Sequence, residues 1–398
     1  MFSSQTFKVL FLLPWQLLNV TLQYYVLGRV RRFRRYGKNL RGSLLTVAAR
    51  AVLSLNIRDC AVFNNKTVGI ILREVAEAQL DLVKHLPNYG KRFLEKGYWL
   101  VEQPNREPDD LVLIYCHGGG YFLQINSIQV ETVLAVYCLL SDRSRISILI
   151  LDYSLASHGH TFPTQMEELY DLYYTVKKSC SRIGLLGDSA GGNLAAGFPQ
   201  FLRLRNASEK DYPLILALVS PWLLIFPDPD LLARNSSYVA NADGDLVAYL
   251  AMTDTSKRSF ILGKEDRFSL IWSPATKVPA NTEDWTCLPT FSDPRRRLFL
   301  LAGEDETLRD DAIWFAKYAM GINWLPENYS RDHKEYSNDE LEFKSECAQA
   351  FIQRYGVHDE MMSFERPLEY VREGMSVEVL GDDCYGTKKL VEFLDAVI

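Results

Sequence analysis

The sequence predicts an α/β fold: a mostly parallel central sheet flanked by helices, with a helical cap and an N-terminal membrane anchor. Short continuous apolar runs recur at Leu111–Cys116, Ile146–Leu151, Leu214–Val219 and Arg297–Ala302, each bounded by turn residues. Such runs are what strands covered on both faces require. Segments with apolar residues at helical spacing, such as Val130–Leu140, separate them, and that alternation argues for a parallel sheet wrapped in helices. A further run through Ile183, Leu185 and Leu186 stops abruptly at Gly187-Asp188-Ser189-Ala190-Gly191. With 398 residues, 47% hydrophobic and 12% aromatic, the chain can bury a large core.

In chain order, Val9–Gly28 comes first, almost wholly uncharged and, at about 20 residues, just long enough to span a bilayer. Trp15, Tyr24 and Tyr25 suit its interfacial zone. Pro14, Gln16, Asn19 and Gln23 make it a poor solute for hydrocarbon, so a helix lying in the interface is the competing reading. A cleaved signal peptide fits worse, because no Ala-x-Ala-like site is present and the basic residues follow the apolar run. Residues 1–40 are therefore read as anchor and basic flank, and 41–398 as one domain.

Two signals disagree on orientation. Arg29, Arg31, Arg32, Arg34, Arg35 and Lys38 would hold the domain in the cytosol by the positive-inside tendency, or form a snorkelling belt. Asn65-Lys-Thr, Asn206-Ala-Ser, Asn235-Ser-Ser and Asn328-Tyr-Ser are glycosylation acceptors in a luminal domain; Asn19-Val-Thr lies inside the anchor. The expectation is a single-pass anchor in the endoplasmic reticulum membrane with the catalytic domain in the lumen.

Beyond the anchor, Leu44–Leu55 and Val68–Leu86 read as helices, and breaks at Pro87–Gly90 and Pro104–Pro108 lead into the strands. Residues 225–295 lack strand patterns and carry Pro227, Pro229, Pro274, Pro279 and Pro289; with residues 41–100 they are expected to form the cap. Tyr329–Glu346 is strongly polar and reads as an exposed loop or helix. A net charge of −6 gives no reason to expect nucleic acid as a partner. The seven cysteines form no CxxC or Cys/His spacing, so no metal site is expected. Nothing in the sequence specifies an oligomeric state.

The chemistry sits at two glycine motifs. Gly187-Asp-Ser-Ala-Gly191 fits the turn in which a buried strand passes sharply into a helix and holds a serine at its tip. The helix that starts beside it aims backbone N–H groups at developing negative charge. His117-Gly118-Gly119-Gly120-Tyr121 follows directly on the Leu111–Cys116 run. Acyl transfer creates a tetrahedral oxyanion that must meet donors already in place. His117, Gly118 and Gly119, with the N–H of Ala190, are the candidate oxyanion hole.

These motifs together resemble the hormone-sensitive-lipase branch of the α/β-hydrolases, which includes the arylacetamide deacetylases. Asp152-Tyr-Ser-Leu-Ala156 with Phe162-Pro163 resembles that family's Asp-Tyr-Arg-Leu-Ala-Pro…Phe-Pro stretch, with Ser154 and Ser157 as departures. Ser220-Pro-Trp222 also looks familial, and the likeness runs from about residue 110 to 360. Within the branch, the chain most resembles the membrane-anchored fungal steryl acetyl hydrolases.

A serine nucleophile needs a base, and the base needs a carboxylate. The acid should follow the Arg297–Ala302 strand, where Glu304, Asp305 and Glu306 all stand. The family's Asp-x-x-Arg-Asp-Asp segment, set on Arg309-Asp310-Asp311, places it at Glu306, with Asp305 as the alternative. The chain order Ser…acid…His leaves His333 and His358 as possible bases. His358 is preferred because it follows a plausible last strand, Ala350–Val357, at the sheet's carboxyl edge. His333 stands in the polar Arg331–Tyr336 stretch but lies nearer the family's usual interval. His85, His158 and His160 fall outside the required order.

The expectation is a serine esterase of catalytic residues Ser189, His358 and Glu306, needing no metal or cofactor. The resemblance implies a lipophilic ester drawn from the membrane, steryl acetate first and xenobiotic or glycerol esters second. The rival from another class is a ligand-binding protein of this fold that has lost turnover. It requires a missing member of the triad.

Overall fold

A computed structural model of the chain describes residues 2–227, 236–247, 254–276, 282–326, 329 and 335–398. Its sheet contains, in chain order, β1 (Arg92–Phe93), β2 (Gly97–Val101), β3 (Leu111–Cys116), β4 (Ile146–Leu151), β5 (Arg182–Asp188), β6 (Ile215–Val219), β7 (Arg297–Gly303), β8 (Glu342–Lys344) and β9 (Ala348–Gln353). The spatial order is β1-β2-β4-β3-β5-β6-β7-β9-β8. The middle six, β4 to β9 in that order, run parallel, while β1, β2 and β8 pair antiparallel at the two margins.

Helices of at least eight residues are α1 (Ser4–Leu27), α2 (Leu40–Leu53), α3 (Val68–Ala78), α4 (Ser127–Leu139), α5 (Thr164–Lys177), α6 (Ser189–Leu204), α7 (Thr255–Leu262), α8 (Arg309–Tyr318) and α9 (Tyr385–Asp395). The period-two geometry of a strand splits its apolar run between two faces. On β3, Val112, Ile114 and Cys116 join the layer of Met166, Leu169, Leu194 and Phe198 from α5 and α6. Leu111, Leu113 and Tyr115 join Val68, Leu72, Val130 and Leu390 from α3, α4 and α9. Both faces are covered, so the carboxyl ends of the parallel strands remain as the place for a site.

Three sequence expectations shift. The Val68–Leu86 segment is not cap: α3 ends at Ala78 and packs on the face opposite α6, against α4. Gly97–Val101, inside the span assigned to the cap, is strand β2. The polar Tyr329–Glu346 stretch contains the marginal strand β8, and Tyr336 is buried. The residues that cover the site come from parts of both spans assigned to the cap: α2 from the first, and Leu246, Val247 and α7 from the second.

The N-terminal helix does not stand away from the domain. Ser3 donates to Asp59 Oδ2 through its N–H at 2.9 Å and its hydroxyl at 2.6 Å, and Gln5 Nε2 donates to Ser54 O at 3.0 Å. Leu13, Leu17, Val20 and Tyr24 pack with Leu40, Leu44 and Val47 of α2, and Val30 and Phe33 close the far end. By length and composition α1 is long and apolar enough to cross a membrane. In the basic flank, Arg34 pairs with Asp305 at 2.7 Å and Arg35 with Glu360 at 2.7 Å, so these two cations face protein.

Candidate active site

The serine is placed by a turn that tolerates almost nothing else. β5 ends at Asp188 and α6 begins at Ser189, whose φ is +48°, in the left-handed region where an L residue is strained. A Cβ on Gly187 would stand 2.3 Å from Gly191 O, and one on Gly191 would stand 1.9 Å from Cys116 O. The crossing of β5, α6 and β3 is therefore possible only with glycine at both positions. Trp222 N–H donates to Ser189 O at 2.9 Å, which ties Ser220-Pro221-Trp222 to the turn.

His358 follows β9, and its Nε2 lies 2.8 Å from Ser189 Oγ. Of the two histidines the sequence offers, the structure brings His358 to the serine; His333 lies outside the described residues. The His358 backbone N–H donates to Asp245 Oδ1 at 2.7 Å. Burial pushes the imidazole down from 6.5 to about 3, so the ring is neutral and able to accept a proton.

The three consecutive carboxylates part company. Glu304 accepts from Tyr355 N–H at 3.0 Å, and Asp305 faces Arg34. Glu306 alone is turned inward and has no exposed surface. Its Oε2 accepts from Ser220 Oγ at 2.7 Å and Gly303 N–H at 2.9 Å. No hydrogen bond joins Glu306 to His358. Glu306 Oε1 and His358 Nδ1 are each buried without a partner. Burial, with the Asp245 charge nearby, raises the Glu306 carboxyl to about 8. Burial also raises Asp305 to about 6, despite Arg34 beside it.

Two residues that the motifs did not single out hold these loops. Asp245 is fully buried and accepts from His358 N–H, from Thr307 N–H at 2.7 Å and from Thr307 Oγ1 at 2.8 Å. It therefore clamps the acid loop to the base loop. Ser220, with φ +43°, links Glu306 to Asp359, whose N–H donates to Ser220 Oγ at 3.1 Å. A lone aspartate in a proline-rich insertion carries no sequence signal; Ser220 was visible only as part of a familial tripeptide.

The glycine loop requires a correction. The Gly118 N–H donates to Asp188 Oδ1 at 2.8 Å and is already spent. The same carboxylate accepts from Tyr115 OH at 2.7 Å and Gln129 Nε2 at 2.9 Å, and burial raises it to about 6. His117 is buried behind the loop, its ring stacked on Tyr153 at 4.2 Å and its Nδ1 2.6 Å from Gly118 O. Burial lowers that imidazole to about 4, and it does not reach the cavity. Gly119 and Gly120 do line the cavity, and neither N–H is engaged by a backbone or side-chain acceptor among the described residues. The Ala190 N–H, in the first turn of α6, has no intrahelical acceptor.

Asn193 fastens this loop to the cap, accepting from Tyr121 OH at 2.6 Å and donating to Trp222 O and Trp272 O, both at 2.8 Å. Ser154, where the family pattern has arginine, accepts from Lys96 Nζ at 2.7 Å; Lys96 also pairs with Glu168 at 3.1 Å.

Ser189 and His358 form part of the wall of a cavity of about 280 Å³. Val52, Leu53, Phe122, Phe226, Val247 and Ile261 make most of the rest apolar. A neutral imidazole on a strained serine hydroxyl, facing unspent N–H groups in an apolar chamber, suits attack on an uncharged acyl carbonyl.

A family model described as steryl acetyl hydrolase matches residues 64–338. The candidate steryl acetyl hydrolase mug81 of Schizosaccharomyces pombe is 28% identical over 327 residues, covering 77% of this chain and 82% of that protein. Steryl acetyl hydrolase 1 of Saccharomyces cerevisiae is 30% identical over 147 residues, 35% of this chain and 33% of its own length. Among solved structures, one from a study of two fungal esterases of Rhizomucor miehei superposes with a TM-score of 0.50 at 16% identity, covering 84% of this chain and 91% of that one. That likeness is one of fold.

Proposed function

We propose that this chain, a carboxylic ester hydrolase that belongs to the steryl acetyl hydrolase family, removes short acyl groups, acetate first, from lipophilic alcohols such as sterols. The observation that carries the reading is the 2.8 Å approach of His358 Nε2 to Ser189 Oγ inside an apolar chamber.

In this reading Ser189 Oγ attacks the acyl carbonyl while His358 Nε2 takes its proton. The oxyanion forms opposite the N–H groups of Gly119, Gly120 and Ala190. The imidazolium then gives its proton to the departing alcohol oxygen, and an acyl-serine remains. Water, deprotonated by the same nitrogen, releases the acid. Glu306 supports the imidazolium: a small rotation bringing Oε1 to His358 Nδ1 would give both buried orphans a partner at the moment charge develops.

The exposed positions of Asn65 and Asn206 support a luminal domain on the endoplasmic reticulum membrane; Asn235 and Asn328 lie outside the described residues. Endoglycosidase sensitivity tests that placement, and an unglycosylated domain open to external protease in microsomes contradicts it. For the substrate, detergent-dispersed cholesteryl acetate, tributyrin and p-nitrophenyl acetate are compared. The reading expects free sterol and acetate, with kcat/KM for the sterol ester exceeding that for tributyrin. Turnover of the other two without sterol release rejects the sterol assignment; binding without turnover of any supports the ligand-binding rival.

A further inference from the structure

Asp359 stands next to the base, at the start of a single helical turn, Glu360–Ser363. An aspartate in that place ordinarily turns its carboxylate back onto the first free N–H groups of the turn. The Asp359 side chain makes no such bond, although its backbone is held on both sides. Its N–H donates to Ser220 Oγ at 3.1 Å, and its carbonyl accepts from Ser363 N–H at 2.8 Å. With φ at +51°, in the left-handed region that aspartate tolerates better than most residues, the turn aims the carboxyl elsewhere.

It is aimed at the chemistry. Oδ2 lies 3.4 Å from His358 Nε2, and the residue lines the chamber beside Gly119 and Ser189. Asp359 is only 8% exposed, and its Oδ1 is buried without a partner. A carboxyl left so is unfavourable to bury, and no contact within the protein offsets that cost. Burial, followed by the charges of Asp188, Glu306 and Asp245, raises it well above the ordinary aspartate range. Asp188 keeps its charge through donors from Tyr115, Gln129 and Gly118. Among the described residues no N–H or O–H donates to the Asp359 carboxyl, so of these two it is Asp359 that carries a proton.

A neutral carboxyl beside Nε2 neither traps the imidazolium proton nor repels a developing alkoxide. What it offers is a carbonyl oxygen able to accept a hydrogen bond. Two oxygens pass this place in the catalytic cycle, that of the departing alcohol and that of the incoming water. Both exchange a proton with Nε2. The alcohol has no further O–H, whereas water has a second one, and only that second O–H can use the acceptor.

We propose that Asp359 is a catalytic residue of deacylation: it accepts a hydrogen bond from the second O–H of the attacking water and so directs the acyl-serine to water in preference to an alcohol. The water oxygen bonds to the acyl carbon while the other water proton passes to Nε2. Collapse then breaks the bond from that carbon to Ser189 Oγ and returns the proton to Oγ. The hydrogen held by Asp359 leaves as the hydroxyl of the released acid. Without this acceptor, a freed alcohol still in the apolar chamber competes as nucleophile, and the ester re-forms. The proposal rests on the esterase reading with Ser189 and His358.

The full chain is given p-nitrophenyl acetate in the presence of methanol, and p-nitrophenol, acetate and methyl acetate are followed together. In Asp359→Leu the first turnover should release p-nitrophenol at the wild-type rate, while acetate release falls about tenfold, as expected for one lost hydrogen bond to the reacting water. The ratio of methyl acetate to acetate should rise about tenfold with it. Both products divide from one acyl-enzyme, so the ratio does not depend on how much of the variant folds. Asp359→Asn, which restores a neutral carbonyl acceptor, should bring the ratio back to within about threefold of wild type. An unchanged ratio in Asp359→Leu overturns the proposal. So does an equal loss in the first-turnover and acetate-release rates, the mark of a purely structural role. A wild-type chain that never carries acetyl on Ser189 is a different result, and it overturns the esterase reading together with this proposal.

Discussion

The serine end and the acid end of the site are built in opposite ways. At the serine end, a few consecutive residues do nearly everything: Gly187 and Gly191 permit the crossing, and Ser189 starts α6. Asp188, inside the same motif, holds the glycine loop through Gly118. At the acid end four separate segments must meet. Glu306 follows β7 and Ser220 follows β6, His358 follows β9, and Asp245 enters from the insertion to bind both the acid loop and the base loop. The turn at the serine is set by backbone sterics. The candidate acid, in contrast, is singled out by which of three neighbouring carboxylates the tertiary structure turns toward Ser220, Asp305 being engaged with Arg34.

That contrast can be sharpened by substitution. Ser189→Ala should cost about 10⁴-fold or more in kcat with the fold retained, since no other hydroxyl stands on the turn. Retained turnover would remove the serine end from the account. Glu306→Gln should cost about 10³-fold, because the amide cannot balance an imidazolium. The wild-type pH profile belongs to the same test. With Glu306 raised to about 8 and His358 lowered to about 3, the histidine is neutral throughout while the carboxyl is protonated below the upper value. The slope of kcat/KM is therefore positive: activity increases as pH rises through about 8, and Glu306→Gln should flatten that limb.

Asp245→Asn should lower kcat about 10- to 100-fold and cost about 1–3 kcal/mol of stability, because one carboxylate now accepting from His358, Thr307 and Leu246 becomes an amide with a single acceptor. Urea unfolding alongside kinetics separates the two effects. Asp305→Asn should change kcat by less than about threefold and stability by under about 1 kcal/mol, because its partner Arg34 is half exposed. A large kinetic loss at Asp305 with little at Glu306 would reverse the assignment of the acid.

The same division governs what the sequence reveals. The strands, the turn at Ser189 and the glycine loop are legible because each is a contiguous pattern whose physics is local. The choice of His358 came from chain order and from its place after a strand. The run of glycines does not show which of its N–H groups are free, because it does not reveal that Asp188 takes that of Gly118. Asp245 and the linking role of Ser220 were invisible, since single polar residues far apart in the chain acquire meaning only through contact. A short strand at the sheet's margin, such as β2, gives too weak a period to stand out from the helical segments before it. For α1, composition gives a length that fits a bilayer, whereas its packing against Leu40, Leu44 and Val47 of α2 is a tertiary fact.

In the proposed mechanism Ser189 is the group that becomes acylated, activated by His358. A fluorophosphonate probe, followed by peptide mapping of the labelled full chain, tests it most directly. The adduct should lie on the peptide containing Ser189, and labelling should vanish in Ser189→Ala and slow by about 10³-fold or more in His358→Ala. An adduct on any other residue, or labelling that persists in Ser189→Ala, would contradict the account.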